Sequence, residues 1–342
     1  MIPTPLAPRR RPMTSTDTPV GPPPPFDPEL AAALVTVQEQ RGPQVLDVES
    51  LPAVRAARAQ DYLTVEELTL GGRYAVAERA VPGLAGAPDV PLLVCRPTGV
   101  AAPAGALYVI HGGGMILGSY RSREIGAVLA DVEELGLVLV AVDYRLAPEN
   151  PFPAGLNDCY AGLLWTVEHA GELGFDPARV VVAGGSAGGG LAAGVALRAR
   201  DEGGPALLGQ LLQYPMLDDR NDTCSARQMA GLGVWDRTAN EFGWTALLGA
   251  ARGGPDVSPY AAPARATDLS GLPPAYLDAG SAETFRDEDV AYATRLWQAG
   301  GEAELHVWPG GFHGFDLLAP QATLSRIARE QRVSWLRRLF AR

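Results

Sequence analysis

The chain has 342 residues, 47% of them hydrophobic and 20% charged, so it can bury a sizeable core as one large domain or two smaller ones. Its 28 basic residues against 39 acidic leave a formal net charge of −11, which disfavours a nucleic-acid backbone or an anionic membrane surface as the main partner. Every basic residue is arginine, and without a lysine amine, Schiff-base and pyridoxal chemistry, a Walker A phosphate loop and a serine–lysine hydrolase are excluded.

Residues 1–25 read as a disordered tail, because ten of the 30 prolines fall within the first 28 positions. Arg9, Arg10 and Arg11 are not expected to open a twin-arginine export signal, since a Thr- and Pro-rich stretch follows instead of an apolar run. No window offers about 20 apolar residues for a membrane span. The three cysteines, Cys95, Cys159 and Cys224, are widely spaced and odd in number, so no disulfide framework is expected and the reducing cytoplasm fits best.

Residues 26–64 read as two helices that precede the main domain, the first capped by Asp27 over Glu29 to Gln40 and the second following Ser50. From residue 65 to 342, short apolar β-prone runs recur at Val65 to Leu70, Leu92 to Cys95, Ala106 to Ile110, Leu137 to Val142, Val180 to Ala183, Leu207 to Gln213, Ala275 to Asp278 and Glu304 to Trp308. Helical patterns lie at Ser122 to Leu135, Asn157 to Glu172, Ala187 to Asp201, Arg286 to Gln298 and Thr323 to Phe340. Nearly continuous apolar strands alternating with helices predict a doubly wound α/β domain, its mostly parallel sheet covered on both faces. Residues 218–260, with Trp235, Phe242, Trp244 and Tyr260, interrupt this rhythm and read as an inserted helical layer.

Two motifs carry chemistry. Gly184-Gly185-Ser186-Ala187-Gly188 sits between a strand and a helix, the setting in which a G-x-S-x-G turn projects a nucleophilic serine above a sheet. Gly184 and Gly188 would avoid the collisions that side chains cause in such a turn; a close-packed strand–helix turn or a phosphate-binding turn is the competing reading. His111-Gly112-Gly113-Gly114 directly follows another strand, and chance would supply this string from four histidines only about 0.006 times. Its unblocked peptide N–H groups suit a developing oxyanion, with Gly112 and Gly113 as expected donors and the Ala187 amide as the third. His111 reads as a loop brace rather than a base. His313, in a glycine-rich loop after the last strand, is the candidate base; His306 in a strand and His169 near a helix end read as packed or solvated imidazoles. The histidines form no HExxH pair, so no metal is expected, and no organic cofactor is called for.

With these motifs in place, residues 65 to 340 resemble the hormone-sensitive-lipase-like branch of the α/β-hydrolase esterases. The likeness rests on His111 to Gly114, on Asp143-Tyr144-Arg145-Leu146-Ala147-Pro148-Glu149 with Pro151 to Ala154 after it, on Gly184 to Gly189, on Arg286-Asp287-Glu288 and on His313-Gly314-Phe315. It implies an α/β-hydrolase fold: an eight-stranded, mostly parallel sheet with a helical cap built from the N-terminal segment and an insertion. Three positions depart from the family pattern. Gly185 stands where Asp or Thr commonly precedes the nucleophile, Met115 stands where an aromatic commonly follows the glycines, and Glu283 aligns with the usual triad aspartate.

The resemblance implies a serine carboxylesterase acting on short- to medium-chain acyl esters, with Ser186 as nucleophile, His313 as base and Glu283 as the acid that orients it. Met115, Trp235, Phe242 and Phe315 are the expected substrate contacts. An amidase, formamidase or deacetylase would share the same acyl chemistry. A non-catalytic small-ligand receptor of this fold is the alternative of a different class, and His313 argues against it. The expected partner is a small-molecule ester, without nucleic acid or membrane, and a homodimer is left open.

Overall fold

The computed structural model describes residues 20–41, 46–100 and 105–342. The expected disordered tail therefore lies outside the described residues up to position 19. Residues 20–25 run without helix or strand, and Gln228 Nε2 donates to the carbonyls of Gly21 and Pro22 at 3.4 and 3.0 Å.

Helices α1 (Pro28–Arg41), α2 (Leu51–Ala59) and α3 (Val65–Leu68) precede the sheet. Asp27 caps α1, its Oδ1 accepting from the N–H groups of Glu29 and Leu30. The strand expected at Val65 to Leu70 is a correction: this segment is α3. A reciprocal capping box decides it, with Thr64 Oγ1 accepting from Glu67 N at 3.2 Å and Glu67 Oε2 from Thr64 N at 2.8 Å. The first strand comes later, as β1 (Tyr74–Val81), a mostly exposed edge strand with no apolar run to announce it.

The sheet continues with β2 (Val90–Pro97), β3 (Ala106–Ile110), β4 (Val138–Val142), β5 (Val180–Gly185), β6 (Gly209–Gln213), β7 (Ala275–Gly280) and β8 (Ala303–Trp308). Its eight strands run in the order β1-β2-β4-β3-β5-β6-β7-β8, antiparallel at β1–β2 and β2–β4 and parallel elsewhere. Strands β3 and β4 are buried along their whole length, as a sheet covered on both faces requires.

The pleat sorts alternate residues into two cores. On one face Tyr108, Val140 and Val182 pack with α2, α5 (Ala154–Glu168), α7 (Ala187–Asp201) and α10 (Arg286–Gln298). On the other, Leu107, Leu139 and Val181 pack with α4 (Arg123–Asp131) and α12 (Thr323–Phe340). The short α6 (Ala170–Leu173) follows α5. Within 218–260 lie α8 (Cys224–Gln228) and α9 (Arg237–Leu248), and α11 (Phe315–Leu318) follows β8. A third cluster joins Leu30 and Leu34 of α1 to Trp308, Phe312 and Phe315.

The strand order places the site. The chain leaves β3 toward β4 on one side, while β5 lies on the other, so β3 and β5 flank the switch point where open α/β sheets form a crevice beyond their carboxyl ends. Ile110 registers with Gly184, which sets the loop after β3 beside the turn after β5. Among the described residues no helix is long and apolar enough to cross a membrane.

Candidate active site

Ser186 joins β5 to α7 with φ 58° and ψ −124°, a conformation that costs a non-glycine residue energy unless its surroundings enforce it. They do. Ser186 N donates to Gln213 O at 2.8 Å, and Ser186 O accepts from Met216 N at 2.9 Å. A Cβ at Gly184 would lie 2.3 Å from Gly188 O, and one at Gly188 would lie 2.0 Å from Ile110 O. The turn closes only with glycine at both places. It lifts the serine to the head of a 15-residue helix, whose first peptides carry the positive end of the dipole.

His313 follows β8, and its Nε2 lies 2.9 Å from Ser186 Oγ. Tyr214 and Phe285 meet the imidazole edge-on, at centroid distances of 4.9 and 5.0 Å, and fix its plane. On the far side, His313 Nδ1 is 3.6 Å from Glu283 Oε1. That gap is longer than a hydrogen bond, yet neither atom has any other polar partner among the described residues. Glu283 is fully enclosed after β7, with Oε2 accepting from Gly280 N at 3.1 Å.

Three neighbouring acids are committed elsewhere. Asp278 accepts from Trp308 Nε1 at 3.1 Å and from Arg332 Nε at 2.9 Å, in a buried network that also joins Arg332 to Asp316. Asp287 accepts from Ser225 N, and Glu288 from the N–H groups of Leu217 and Asp218. Asp289 is buried with neither oxygen partnered, and burial pushes its carboxyl well above the usual range.

The glycine loop departs from expectation at one donor. Gly112 N–H is already engaged, donating to Glu124 Oε2 at 2.9 Å. Among the described residues the N–H groups of Gly113, Gly114 and Ala187 donate no hydrogen bond, and Gly113 and Gly114 border the cavity beside Ser186. His111 braces this loop: its Nδ1–H donates to Gly112 O at 2.8 Å and its ring stacks on Tyr144 at 4.3 Å. Burial lowers its pKa, which keeps it a neutral brace.

Ser186, His313 and the glycine loop open into a cavity of about 480 Å³. Trp235 forms part of its wall; a Cβ on Gly114 would fall 2.2 Å from the Trp235 ring, so glycine is what lets loop and indole touch. Three expected contacts do not reach the wall. Met115 packs in the core against α7, Phe242 is a half-buried side chain on the same core, and Phe315 is sealed in the cluster under α1. The sequence reading missed Arg58 and Tyr62, which reach the cavity from α2 and the turn after it, and also Tyr214, Gly114 and Glu124. Arg58 and Tyr62 lie four apart, the helical spacing that could have signalled a shared face. No carboxylate lies within ion-pair distance of Arg58 among the described residues. Among the same residues, no three side chains of metal-ligating type gather in one place.

The chain is similar in sequence and in fold to known esterases. A family model for the alpha/beta hydrolase fold matches residues 107–317. The carboxylesterase NlhH of Mycobacterium tuberculosis is 39% identical over 278 residues, spanning 79% of this chain and 84% of the relative. Among solved structures, a bacterial heroin esterase superposes with a TM-score of 0.83 at 42% identity, covering 92% of this chain and 98% of its own. The esterase LipW from Mycobacterium marinum gives 0.81 at 35% identity, covering 94% and 99%.

Proposed function

Because the chain belongs to the hormone-sensitive-lipase-like α/β hydrolases and is a carboxylic ester hydrolase, we propose that Ser186, His313 and Glu283 carry the reaction on short- to medium-chain acyl esters. His313 Nε2 takes the proton of Ser186 Oγ as the oxygen attacks the ester carbonyl. The oxyanion that forms is held by the N–H groups of Gly113, Gly114 and Ala187. The imidazolium returns its proton to the leaving alcohol, and water then repeats the sequence on the acyl-enzyme. Glu283 stabilises the imidazolium, closing its 3.6 Å gap to Nδ1 as charge develops there.

The observation that carries this reading is the 2.9 Å contact between Ser186 Oγ and His313 Nε2, on a strained turn beside open peptide donors. The chain-length preference rests on the bounded cavity and on the Trp235 indole in its wall. Cys95, Cys159 and Cys224 are all free thiols, which supports placing the enzyme in the reducing cytoplasm, acting on small esters.

A panel of p-nitrophenyl esters, with matched amides alongside, tests the reading. Turnover should peak at short or medium acyl chains, with esters preferred. Activity that climbs steadily toward long emulsified triacylglycerols, or amides that outrun esters, contradicts it.

A further inference from the structure

The residue before the nucleophile is glycine, where the family commonly carries Asp or Thr. A Cβ built on Gly185 would lie 2.8 Å from Glu124 Oε1, so the space of a side chain at this position is already taken. The occupant comes from the first turn of α4, some sixty residues earlier in the chain. Its other oxygen accepts from Gly112 N at 2.9 Å, while Oε1 lies against Gly185 itself. One group therefore touches both the loop that holds the open oxyanion donors and the turn that holds Ser186.

The glycine loop needs such an anchor. Gly113 and Gly114 adopt φ values of +120° and +64°, and consecutive glycines lose much conformational freedom on being fixed. The far end of the loop is tied by Gly113 O, which accepts from Ile116 N and Leu117 N at 3.1 and 2.9 Å. On the near side His111 Nδ1–H holds the Gly112 carbonyl, and Glu124 holds its N–H. Without Glu124 that inward-facing N–H would lose its partner.

We propose that Glu124 is a positioning residue for ester hydrolysis, its carboxyl clamping the Gly112 peptide to the nucleophile turn and replacing the side chain that Gly185 lacks. The inference rests on the reading of Ser186 as nucleophile. It also implies that a carboxyl from α4 and a side chain at position 185 are alternatives, because the two compete for one space.

Steady-state kinetics on p-nitrophenyl butyrate with the full chain tests this. Glu124→Met keeps length and bulk but has no acceptor for Gly112 N, and should lower kcat about 10- to 100-fold with KM little changed, somewhat less than loss of a direct oxyanion donor. Glu124→Gln keeps an acceptor oxygen and should lose clearly less. Gly185→Asp should impair the parent enzyme yet raise kcat in a Glu124→Ala background, by about tenfold for a coupling of typical size. Equal kcat for the Met and Gln variants, an effect confined to KM, or a Gly185→Asp penalty unchanged by loss of Glu124 would each overturn the proposal. Ser186→Ala separates the two readings: if it retains turnover the nucleophile assignment fails, whereas its inactivity alongside an insensitive Glu124 series rejects the clamp alone.

Discussion

His313 Nδ1 and Glu283 Oε1 face each other across 3.6 Å, and each is the polar partner the other lacks. An N–H and a carboxylate oxygen left in this state inside a protein are costly unless they meet during the reaction. Replacing Glu283 by Gln should lower kcat by as much as about 10⁴-fold with little change in KM, as removal of a triad acid does. Steady-state kinetics at equal folded fraction checks this; a variant within tenfold of the parent removes Glu283 from the mechanism.

Asp278 should behave differently, because its oxygens serve Arg332 and Trp308. Asp278→Asn weakens the charged hydrogen bonds to Arg332 and Trp308 while Asp316 still pairs the guanidinium, so it should cost about 1–3 kcal/mol in stability. Its kcat per folded molecule should stay within a few-fold of the parent. Calorimetry paired with active-site titration separates the two effects, and a loss of kcat matching that of Glu283→Gln would make Asp278 the acid instead.

Trp235 packs its ring on Gly114 and donates from Nε1 to Asn240 Oδ1 at 3.2 Å, fixing part of the cavity wall. Trp235→Leu should enlarge the acyl space and raise the ratio of kcat/KM for octanoate over butyrate by about tenfold, the scale of one or two methylenes in an apolar pocket. An unchanged ratio places the acyl chain elsewhere.

Burial raises the Glu124 carboxyl from 4.5 to about 7, with Asp316 pushing in the same direction and Arg332 and the Gly112 and Gly185 peptides opposing. The folded chain keeps a proton that the unfolded chain releases above pH 4.5, so this group's contribution to stability falls as pH rises toward 7. Glu124→Gln should flatten that decline by on the order of 1–2 kcal/mol, allowing for solvent reaching the carboxyl through the cavity. Urea unfolding of both proteins at pH 5 and 7.5 measures it; parallel declines contradict the assignment.

What could be read in the sequence follows from how local each signal is. The boundaries of β3, α7, α10 and α12 coincide with the sequence reading because apolar runs and helical periods are short-range patterns. The Val65 to Leu70 run misled, because its β-prone residues gave way to the Thr64–Glu67 capping box, while polar β1 carried no apolar signal of its own. Adjacency to a motif also misled: Phe315 lies two residues past His313, but its ring enters the α1 cluster instead of the cavity. Glu124 was out of reach, since its meeting with Gly112 and Gly185 depends on how α4 docks below the crevice. The only trace it left was an unexplained glycine before the nucleophile.

In the proposed mechanism Ser186 forms the covalent intermediate. Intact-mass and peptide analysis after treatment with a serine-directed organophosphonate tests it most directly. One equivalent should bind at Ser186, with activity lost in proportion to labelling and no label in Ser186→Ala. Label at another residue, or turnover that survives full occupancy of Ser186, contradicts it.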